Sequence, residues 1–406
     1  MIYDLPDTTT GNVNKKMIDI RESGGAVALG RVMTLIIVTE EANAEEAIRA
    51  ANDASREHPC RVIAIVRGNR RGTNRLDAQI RVGGDAGASE VIVLRLYGPL
   101  AEHGDSVMVP FLLPDAPIVV WWPAECPDDP VHDAIGRMAQ RRITDAAHSK
   151  NPIKALQQRA LRHAPGDTDL AWSRITLWRG LLAAALDEPP YEPVVAATVS
   201  GGSDSPSTDL LAAWLALTLR CPVVRERAAA GKGMLSVQLE RRSGMVELKR
   251  PDGVVATLNQ PGQPERRIAL APRADRDCLA EELRRLDPDD VFAEVVTRGL
   301  QLLLANGSAK KQAVAKKAAP AKAAAKTAPA TKAAPAAKTA PAKAAAAKTA
   351  PAKAAKSTPA KAAPAKTART APAKTAKAVP AKTSAARTTQ AGRTTAGAAA
   401  TKAPAS

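Results

Sequence analysis

Apolar residues near the start of the chain follow the pattern of a βαβ unit. The apolar stretch 27–38 predicts a long strand, and Thr39-Glu40-Glu41 follows it as the cap of a helix that extends to about Arg56. The wholly apolar segment 62–66 predicts a short strand that is buried on both faces. A strand, a helix and a strand with short links form a βαβ unit, and we expect its crossover to be right-handed.

Further elements complete the region that ends near Pro165. Residues 7–10 offer N-caps for a short helix at 13–21. Asn151-Pro152 supplies the N-cap and the first residue of another helix, which ends at about Arg162. The strands that we predict here lie at 76–82, 91–96 and 117–122, and the last of them is apolar enough for the interior of a sheet.

The pattern after Pro165 predicts an amphipathic helix, an antiparallel meander and two closing helices. Residues 169–186 form the clearest amphipathic helix, with Asp167 or Thr168 as its N-cap. Short strands separated by turn signals such as Pro251-Asp252-Gly253 predict the meander. The predicted strands are 194–199, 223–225, 235–240, 246–248, 254–258 and 267–270, and the other helices are 207–219, 274–286 and 288–304.

These elements together predict a mixed α/β protein with a two-domain body. We expect an N-terminal arm at 1–24 and an N-terminal α/β domain at 25–165, which contains the βαβ unit. A C-terminal α+β domain should follow at 166–305. The remaining residues, 306–406, form a tail rich in Lys, Ala and Pro.

The tail differs from the body in charge. From Gly307 onward the sequence contains no Asp, Glu or aromatic residue, and it holds 21 of the 58 Lys and Arg residues. The body therefore carries 37 basic against all 41 acidic residues, a net charge of −4, whereas the whole chain has +17. Repeated prolines interrupt any long helix, and the few apolar side chains cannot offset about 1–2 kcal/mol of backbone entropy per residue. We expect the tail to be disordered.

Such a tail can bind a polyanion by releasing counterions, without reading bases. Non-specific nucleic acid is the obvious partner of this kind, and a solubilising appendage is the alternative. The lysines that we assign to polyanion binding belong to the Pro-Ala-Lys repeats: Lys322, Lys343, Lys353, Lys361, Lys366, Lys374 and Lys382.

A search for chemistry finds no catalytic, cofactor or metal motif in the sequence. Gly83, Gly84 and Gly87 do not form the G-x-G-x-x-G pattern of a dinucleotide-binding loop, and 201–205 departs from the nucleophile elbow G-x-S-x-G. No two of the five histidines lie at the i, i+4 spacing that places two metal ligands on one helix face. We therefore predict a binding protein or scaffold with no cofactor, and not an enzyme.

The cysteines and the hydropathy bear on the compartment. Cys60, Cys126, Cys221 and Cys278 are far apart in the sequence, which indicates a reducing compartment and no disulfide framework. No apolar run approaches the ~20 residues of a membrane span, and the N-terminus lacks the pattern of a signal peptide. We expect a cytoplasmic protein without membrane contact.

Two groups of residues are candidates for partner binding in the first domain. Arg56, His58 and Arg61 lie at a helix-to-strand joint, where basic groups can meet an anion or an acidic partner. The alternative is a helix C-terminus favoured by the dipole. Trp121 and Trp122 are neighbours in a strand and must point to opposite faces, so one ring can lie at a contact surface. The alternative places both rings in the core.

Arg174 and Arg179 are the third group of candidates. They flank the apolar stripe of the predicted helix 169–186, which contains tryptophans. Aromatic residues beside arginine are typical of interface hot spots. The alternative is an ordinary solvated helix face.

Five segments of the body carry a resemblance to a known family. They are DLPDTT at 4–9, GGAVALGRV at 24–32, SREHPCR at 55–61, LPDAPIVVWWP at 113–123, and DLAWSR followed by LWR within 169–179. In these segments the chain resembles the glucose-6-phosphate dehydrogenase assembly proteins of actinobacteria, the OpcA family. The resemblance extends in order over the body, from residue 1 to about 304.

The resemblance implies a non-catalytic partner that helps to assemble or activate glucose-6-phosphate dehydrogenase, at the entry of the oxidative pentose phosphate pathway. It supplies no functional residues, and the thiol redox control of cyanobacterial relatives is not extended to these cysteines. The tail departs from the family and resembles the tails of linker histones and some nucleoid proteins. A nucleoid-associated protein that binds DNA non-specifically is therefore the alternative function, and an unrecognised enzyme or ligand sensor is a third.

Overall fold

A mostly parallel sheet of eight strands forms the first part of the protein. The computed structural model describes residues 1–23, 32–83 and 90–305, all within one unit, Met1–Ala324. The strands are β1 (Ile2–Leu5), β2 (Met33–Glu40), β3 (Cys60–Arg67), β4 (Arg75–Arg81), β5 (Glu90–Tyr97), β6 (Ile118–Trp121), β7 (Arg141–Thr144) and β8 (Asp167–Asp169).

The order of these strands is that of a doubly wound α/β fold. Side by side they lie β1-β4-β5-β3-β2-β6-β7-β8, and the six strands from β5 to β8 are parallel. Numbered by their position in the chain, these six have the order 3-2-1-4-5-6 of the Rossmann fold. The antiparallel strands β4 and β1 extend the sheet at one edge.

The helices cover both faces of this sheet. The α-helices of the described residues, some of which pack on the second sheet instead, are α1 (Thr10–Ser23), α2 (Glu41–Ala54), α3 (Gly104–Met108), α4 (Pro152–Leu161), α5 (Leu170–Ser173), α6 (Thr176–Leu186), α7 (Pro206–Leu219), α8 (Asp275–Leu283) and α9 (Asp290–Glu294). The apolar side chains of α1 pack on one face, and those of α2 and α8 pack on the other. Since β2 and β3 lie between these layers, their side chains are buried almost throughout. Burial on both faces explains why the sequences of β2 and β3 are apolar runs.

A second sheet of six strands follows in the chain. Its strands are β9 (Ala196–Gly202), β10 (Val223–Ala228), β11 (Met234–Arg241), β12 (Gly244–Lys249), β13 (Val255–Asn259) and β14 (Arg266–Ala269). They lie in the order β10-β9-β11-β12-β13-β14; β9 and β10 are parallel and joined by α7, and the other neighbours are antiparallel. One face packs against α6 and α7.

The predicted architecture is confirmed, with corrections at particular elements. The mixed α/β class, the βαβ unit and the antiparallel meander are all present. The segment 24–31, which we assigned to the arm and the start of a strand, lies outside the described residues, and β2 begins at Met33. The predicted tail also lies outside them.

The predicted helix 169–186 is in fact two helices, α5 and α6, and its predicted N-cap is wrong. Asp167–Asp169 pairs with β7 as a strand, so the cap is Asp169, whose carboxylate accepts a hydrogen bond from the backbone N–H of Ala171 at 2.9 Å. The same carboxylate accepts a hydrogen bond from the Thr144 hydroxyl at 2.6 Å. Pairing with β7 therefore decides where the helix begins.

The predicted helix 288–304 is interrupted by a π-helical turn. After α9 the backbone forms the π turn Val295–Gly299 and then returns to α-helix. A side chain at Gly299 would lie 2.8 Å from the carbonyl oxygen of Ala213 in α7. Glycine at this position lets the last helix lie directly against α7, over the core of the second sheet.

Candidate functional site

The carboxyl ends of the parallel strands open into a crevice of about 210 Å3. In doubly wound sheets, ligands bind outside the carboxyl ends of the strands where the strand order reverses, which here is between β2 and β6. The crevice lies at this place, because its walls come from the ends of β2 and β3 and from residues 124–127, which follow β6. The polar residues that line it are Thr39, Glu40, Asn43, Arg67, Arg70, Glu125 and Cys126.

The junction of β2 and α2 lacks the features of a phosphate-binding loop. In dinucleotide-binding proteins, glycines at the first strand–helix turn let the helix N–H groups approach the pyrophosphate. Here β2 ends at Glu40 and α2 begins at Glu41, with no loop between them. The helix N-terminus therefore presents the carboxylate of Glu40 to the crevice where such proteins present glycines, and the carboxylate of Glu41 pairs with Arg95 at 3.1 Å.

The basic residues of the crevice come from the end of β3. Arg67 is the last residue of β3 and is half-buried, and Arg70 follows in an exposed turn. The Arg70 guanidinium lies 3.0 Å from the carboxylate of Glu102. On the opposite wall, Glu125 accepts a hydrogen bond from the backbone N–H of Lys150 at 2.8 Å. The residues that line the crevice thus carry charges of both signs, and they do not form a strongly cationic pocket.

Cys126 borders the crevice but is poorly suited to thiol chemistry. Burial raises the pKa of its thiol to about 11, although the guanidinium of Arg159, 2.8 Å from the sulfur, opposes this shift. The thiol is therefore protonated at neutral pH, and the reactive species of cysteine is the thiolate. Cys60 and Cys278 lie in the core.

A buried ionic cluster connects β7, α5 and α8. Arg174 donates hydrogen bonds to both carboxylate oxygens of Asp145, at 2.7 and 2.6 Å, and to Asp275 at 2.7 Å. His148 lies 2.8 Å from the same Asp145. Burial alone would raise the pKa of Asp145, but the hydrogen bonds and charges of Arg174 and His148 lower it to about 2.

Three members of this cluster are close enough to share a metal ion. The ligand atoms of Asp145, His148 and Asp275 lie within 4.8 Å of one another. However, the guanidinium of Arg174 already bonds to both carboxylates and supplies the positive charge that a cation would bring. We therefore interpret the cluster as a structural ion network that joins distant parts of the chain.

The structure places both tryptophans of the predicted pair in the interior. Trp121 lies in the cluster that α2 and α8 cover, and Trp122 lies in the cluster on the α1 side, so the two rings point to opposite faces as expected. Their exposed fractions are 1% and 0%. This burial does not fit a partner contact by either ring. It fits the alternative, in which both tryptophans are core residues.

The basic joint after α2 is divided between surface and core. Arg61 is buried and donates hydrogen bonds to Glu90 at 2.9 Å and to the carbonyl oxygen of Phe111 at 2.8 Å. His58 is half-buried, whereas the side chain of Arg56 is 71% exposed. Partner binding by Arg61 does not fit its position, and for Arg56 and His58 it stays a prediction.

The two arginines beside the tryptophan stripe also turn inward. Arg174 is the centre of the buried ionic cluster, so a role in partner contact does not fit its placement. The guanidinium of Arg179 lies 3.6 Å from the centre of the Trp172 ring and donates a hydrogen bond to Thr176 at 3.0 Å. Burial lowers the pKa of Arg179. Both arginines thus support the helices that carry them.

The tail lysines assigned to polyanion binding lie outside the described residues, so that assignment stays a prediction. Among the residues that are described, no helix combines the length and the apolar character needed to cross a membrane.

Several solved structures resemble the protein at low identity. An oxidoreductase from Sinorhizobium meliloti is 11% identical, with a TM-score of 0.41 over 70% of this chain and 98% of that one. Glucose-6-phosphate 1-dehydrogenase from Mycobacterium avium is 10% identical, with a TM-score of 0.35 over 68% and 92%. Apo scyllo-inositol dehydrogenase from Lactobacillus casei is 10% identical, with a TM-score of 0.33 over 68% and 95%. At these scores the likeness carries no argument about function.

The sequence itself matches two family models, which describe the two domains of a glucose-6-phosphate dehydrogenase subunit. Residues 51–161 match its N-terminal domain, and residues 165–296 match its C-terminal domain. A search of curated proteins gives no match. The two matches adjoin and together cover more than half of the chain, including most of both sheets. The chain therefore belongs to the OpcA family of glucose-6-phosphate dehydrogenase subunits.

Proposed function

We propose that this chain is a non-catalytic accessory subunit that binds glucose-6-phosphate dehydrogenase and promotes its assembly or activation. The family supports the choice of partner, because both of its domains are described as parts of a dehydrogenase subunit. The observation that carries the absence of catalysis is the acidic junction of β2 and α2. It lies at the position where a doubly wound fold would hold a nicotinamide dinucleotide.

The charges at this junction oppose the binding of a pyrophosphate. Glu40 and Glu41 are both exposed at the start of α2. At an effective dielectric constant of about 20, two like unit charges ~5 Å apart repel each other by about 3 kcal/mol. Glu40 lines the crevice, whereas the carboxylate of Glu41 lies 3.1 Å from the guanidinium of Arg95. The repulsion between Glu40 and a doubly charged pyrophosphate exceeds what the N–H groups and dipole of a helix N-terminus contribute, about 0.3–2 kcal/mol. The crevice therefore lies where a doubly wound fold would hold a dinucleotide, but it lacks the glycine-rich turn that would bind the pyrophosphate.

The test combines the purified chain with the dehydrogenase. Alone, the chain should not oxidise glucose 6-phosphate, and NADP should not bind with a dissociation constant below about 1 mM in calorimetry. Added to the dehydrogenase, it should change the turnover number, the KM or the mass of the enzyme assembly. Enzyme kinetics and light scattering after size exclusion measure these quantities. Kinetics and mass that are identical with and without the chain would contradict the proposal.

A further inference from the structure

The second sheet leaves one of its faces uncovered by the described residues. Alternate side chains of its strands point into the core against α6 and α7, as Val199, Val237 and Leu248 do with no exposed area. The residues between them point the other way and are half-buried or exposed. We name this side the open face and define it by Thr198 and Ser200 of β9, Ser236 and Gln238 of β11, Glu247 and Lys249 of β12, and Thr257 and Asn259 of β13.

The strand register aligns the open face into rows across the sheet. Gln238 is paired with Thr198 on one side and with Glu247 on the other, and Glu247 is paired with Asn259. The next row contains Ser236 between its neighbours Ser200 and Lys249. Six of the eight residues that define the open face therefore carry hydroxyl or amide side chains, and the other two are Glu247 and Lys249.

The few charges of the open face are already paired within it. Lys249 lies 2.8 Å from Glu247, and Gln238 donates a hydrogen bond to the same carboxylate at 2.7 Å. Other exposed charges of this face lie toward its margins: Glu226 of β10, Arg267 of β14, and Glu240 near the end of β11. Paired charges in the middle and exposed polar groups at the rim fit the more polar class of protein–protein interface, in which hydrogen bonds supply much of the contact.

The helical surface of the first sheet has a different character. On α2 and α8 the exposed residues form ion pairs, such as Arg276 with Asp53 at 3.9 Å and Arg284 with Glu57 at 3.5 Å. Exposed ion pairs of this kind are typical of a helix surface that is in contact with water. The open face is thus distinguished by its hydroxyl and amide side chains.

The size of the open face suits a stable interface. Six strands about 4.8 Å apart, each offering about five residues at ~3.4 Å, give a footprint of roughly 24 by 17 Å. The accessible surface of side chains exceeds such a footprint. A standard interface takes about 800 Å2 from each partner, so the footprint of about 400 Å2 corresponds to about half of one side.

We propose that the open face is the surface by which the chain docks on glucose-6-phosphate dehydrogenase, against a flat, weakly charged surface of that enzyme. The inference rests on the proposed function, since the occupant is the enzyme of which this family is a subunit. The family match to residues 165–296 includes every strand of the open face. Hydroxyl and amide groups of the face would exchange hydrogen bonds with the partner, which fixes the register of the two surfaces.

The experiment introduces bulk and charge in the middle of the open face. The double variant Thr198→Arg/Gln238→Arg places two adjacent guanidinium groups where both native side chains point away from the core. The control is Gln157→Arg, the same kind of change at an exposed position of α4. Both proteins are full-length chains, and their binding to the dehydrogenase is titrated by calorimetry or biolayer interferometry.

We expect the double variant to bind the dehydrogenase at least tenfold more weakly, and the control to bind like the wild type. The melting temperature of each variant should stay within about 2 °C of the wild type, because surface changes cost little. If the double variant is destabilised, the single variant Asn259→Arg repeats the test at the row end, and it too should weaken binding.

The outcomes separate this inference from the proposed function. A wild-type chain that does not bind the dehydrogenase contradicts the proposed function itself. A wild-type chain that binds, together with open-face variants that bind equally well, contradicts only the docking surface. A free chain that forms a dimer, which the open-face variants dissociate, would assign the face to a second copy of the chain and would also overturn the inference.

Discussion

The eight-stranded sheet has helices on both faces, whereas the six-stranded sheet has them on one. In the first sheet, charged residues that enter the interior pair with one another, as Arg61 does with Glu90 and Arg141 with Glu282, at 2.9 and 2.6 Å. In the second, polar residues line a face that the described residues leave open. These charged groups of the first sheet are thus paired within the protein. The second sheet has a face that another molecule can contact.

The two sheets also differ in where the fold alone would place a binding site. The doubly wound sheet is the part in which ligand binding is expected, at its crevice, yet Glu40 opposes the usual ligand there. The fold predicts no ligand site on the second sheet, yet this sheet has the larger flat surface. Function has to be inferred from the residues of a site, since one fold can carry many unrelated functions.

The largest expected effect comes from breaking the interior of the first part. Arg174→Ala leaves Asp145, which has no exposed area, without its main partner. Removing one member of a buried ion pair typically lowers the free energy of unfolding by about 3–5 kcal/mol. The matched control is Arg276→Ala, whose side chain is 59% exposed, with an expected change within about 0.5 kcal/mol. Urea denaturation measures both, and equal small losses would mean that the cluster contributes little.

A second pair of variants compares the two faces of one strand in the other sheet. Leu239 and Gln238 are neighbours in β11, and Leu239 has no exposed area. Leu239→Ala should lower the free energy of unfolding by about 2–5 kcal/mol, because it leaves a cavity in the core. Gln238→Ala should change it by less than about 1 kcal/mol. Similar losses in urea denaturation would show that the open face is packed in the free protein.

The smallest effect is a pH dependence at the edge of the ionic cluster. The hydrogen bond with Asp145 raises the pKa of His148 above its usual value, although burial opposes this. The stabilisation by His148 is therefore complete below about pH 6.5 and is lost as the pH rises through its folded pKa. Because His148 is half exposed, the effect should be a fraction of a kcal/mol.

The comparison of wild type with His148→Gln isolates this effect. Denaturation midpoints measured from pH 6 to 8 should fall slightly more for the wild type than for the variant. Parallel curves would show that the histidine is not coupled to the cluster.

Strands with apolar or alternating residues could be predicted from the sequence, and the charged strands β7 and β8 could not. The segment 62–66 is wholly apolar because both faces of β3 are covered, and the turns of the meander carry their own glycines. In contrast, β7 and β8 contain Arg141, Arg142, Asp167 and Asp169, which read as polar loop residues. They enter the interior because they pair across the chain, as Arg142 does with Asp167 at 2.5 Å.

The same limit explains the outcome for the candidate partner residues. Arg174 pairs with Asp275, a residue 101 positions later, and no local pattern shows such a pairing. The crevice escapes sequence reasoning for another reason. The absence of a glycine-rich loop is visible in the sequence, but Thr39-Glu40-Glu41 by itself indicates only a helix cap. The signal that could locate the crevice is the order in which the strands follow one another, which becomes clear only once they are paired.

The position of α8 has a consequence for the synthesis of the protein. Leu279 and Leu283 of this helix pack in the same cluster as α2 and the first sheet, although they follow the second sheet in the chain. A ribosome must therefore translate nearly the whole body before the first sheet receives its last covering helix. Until then the nascent chain exposes an apolar surface on that sheet, which makes it a natural substrate for chaperones.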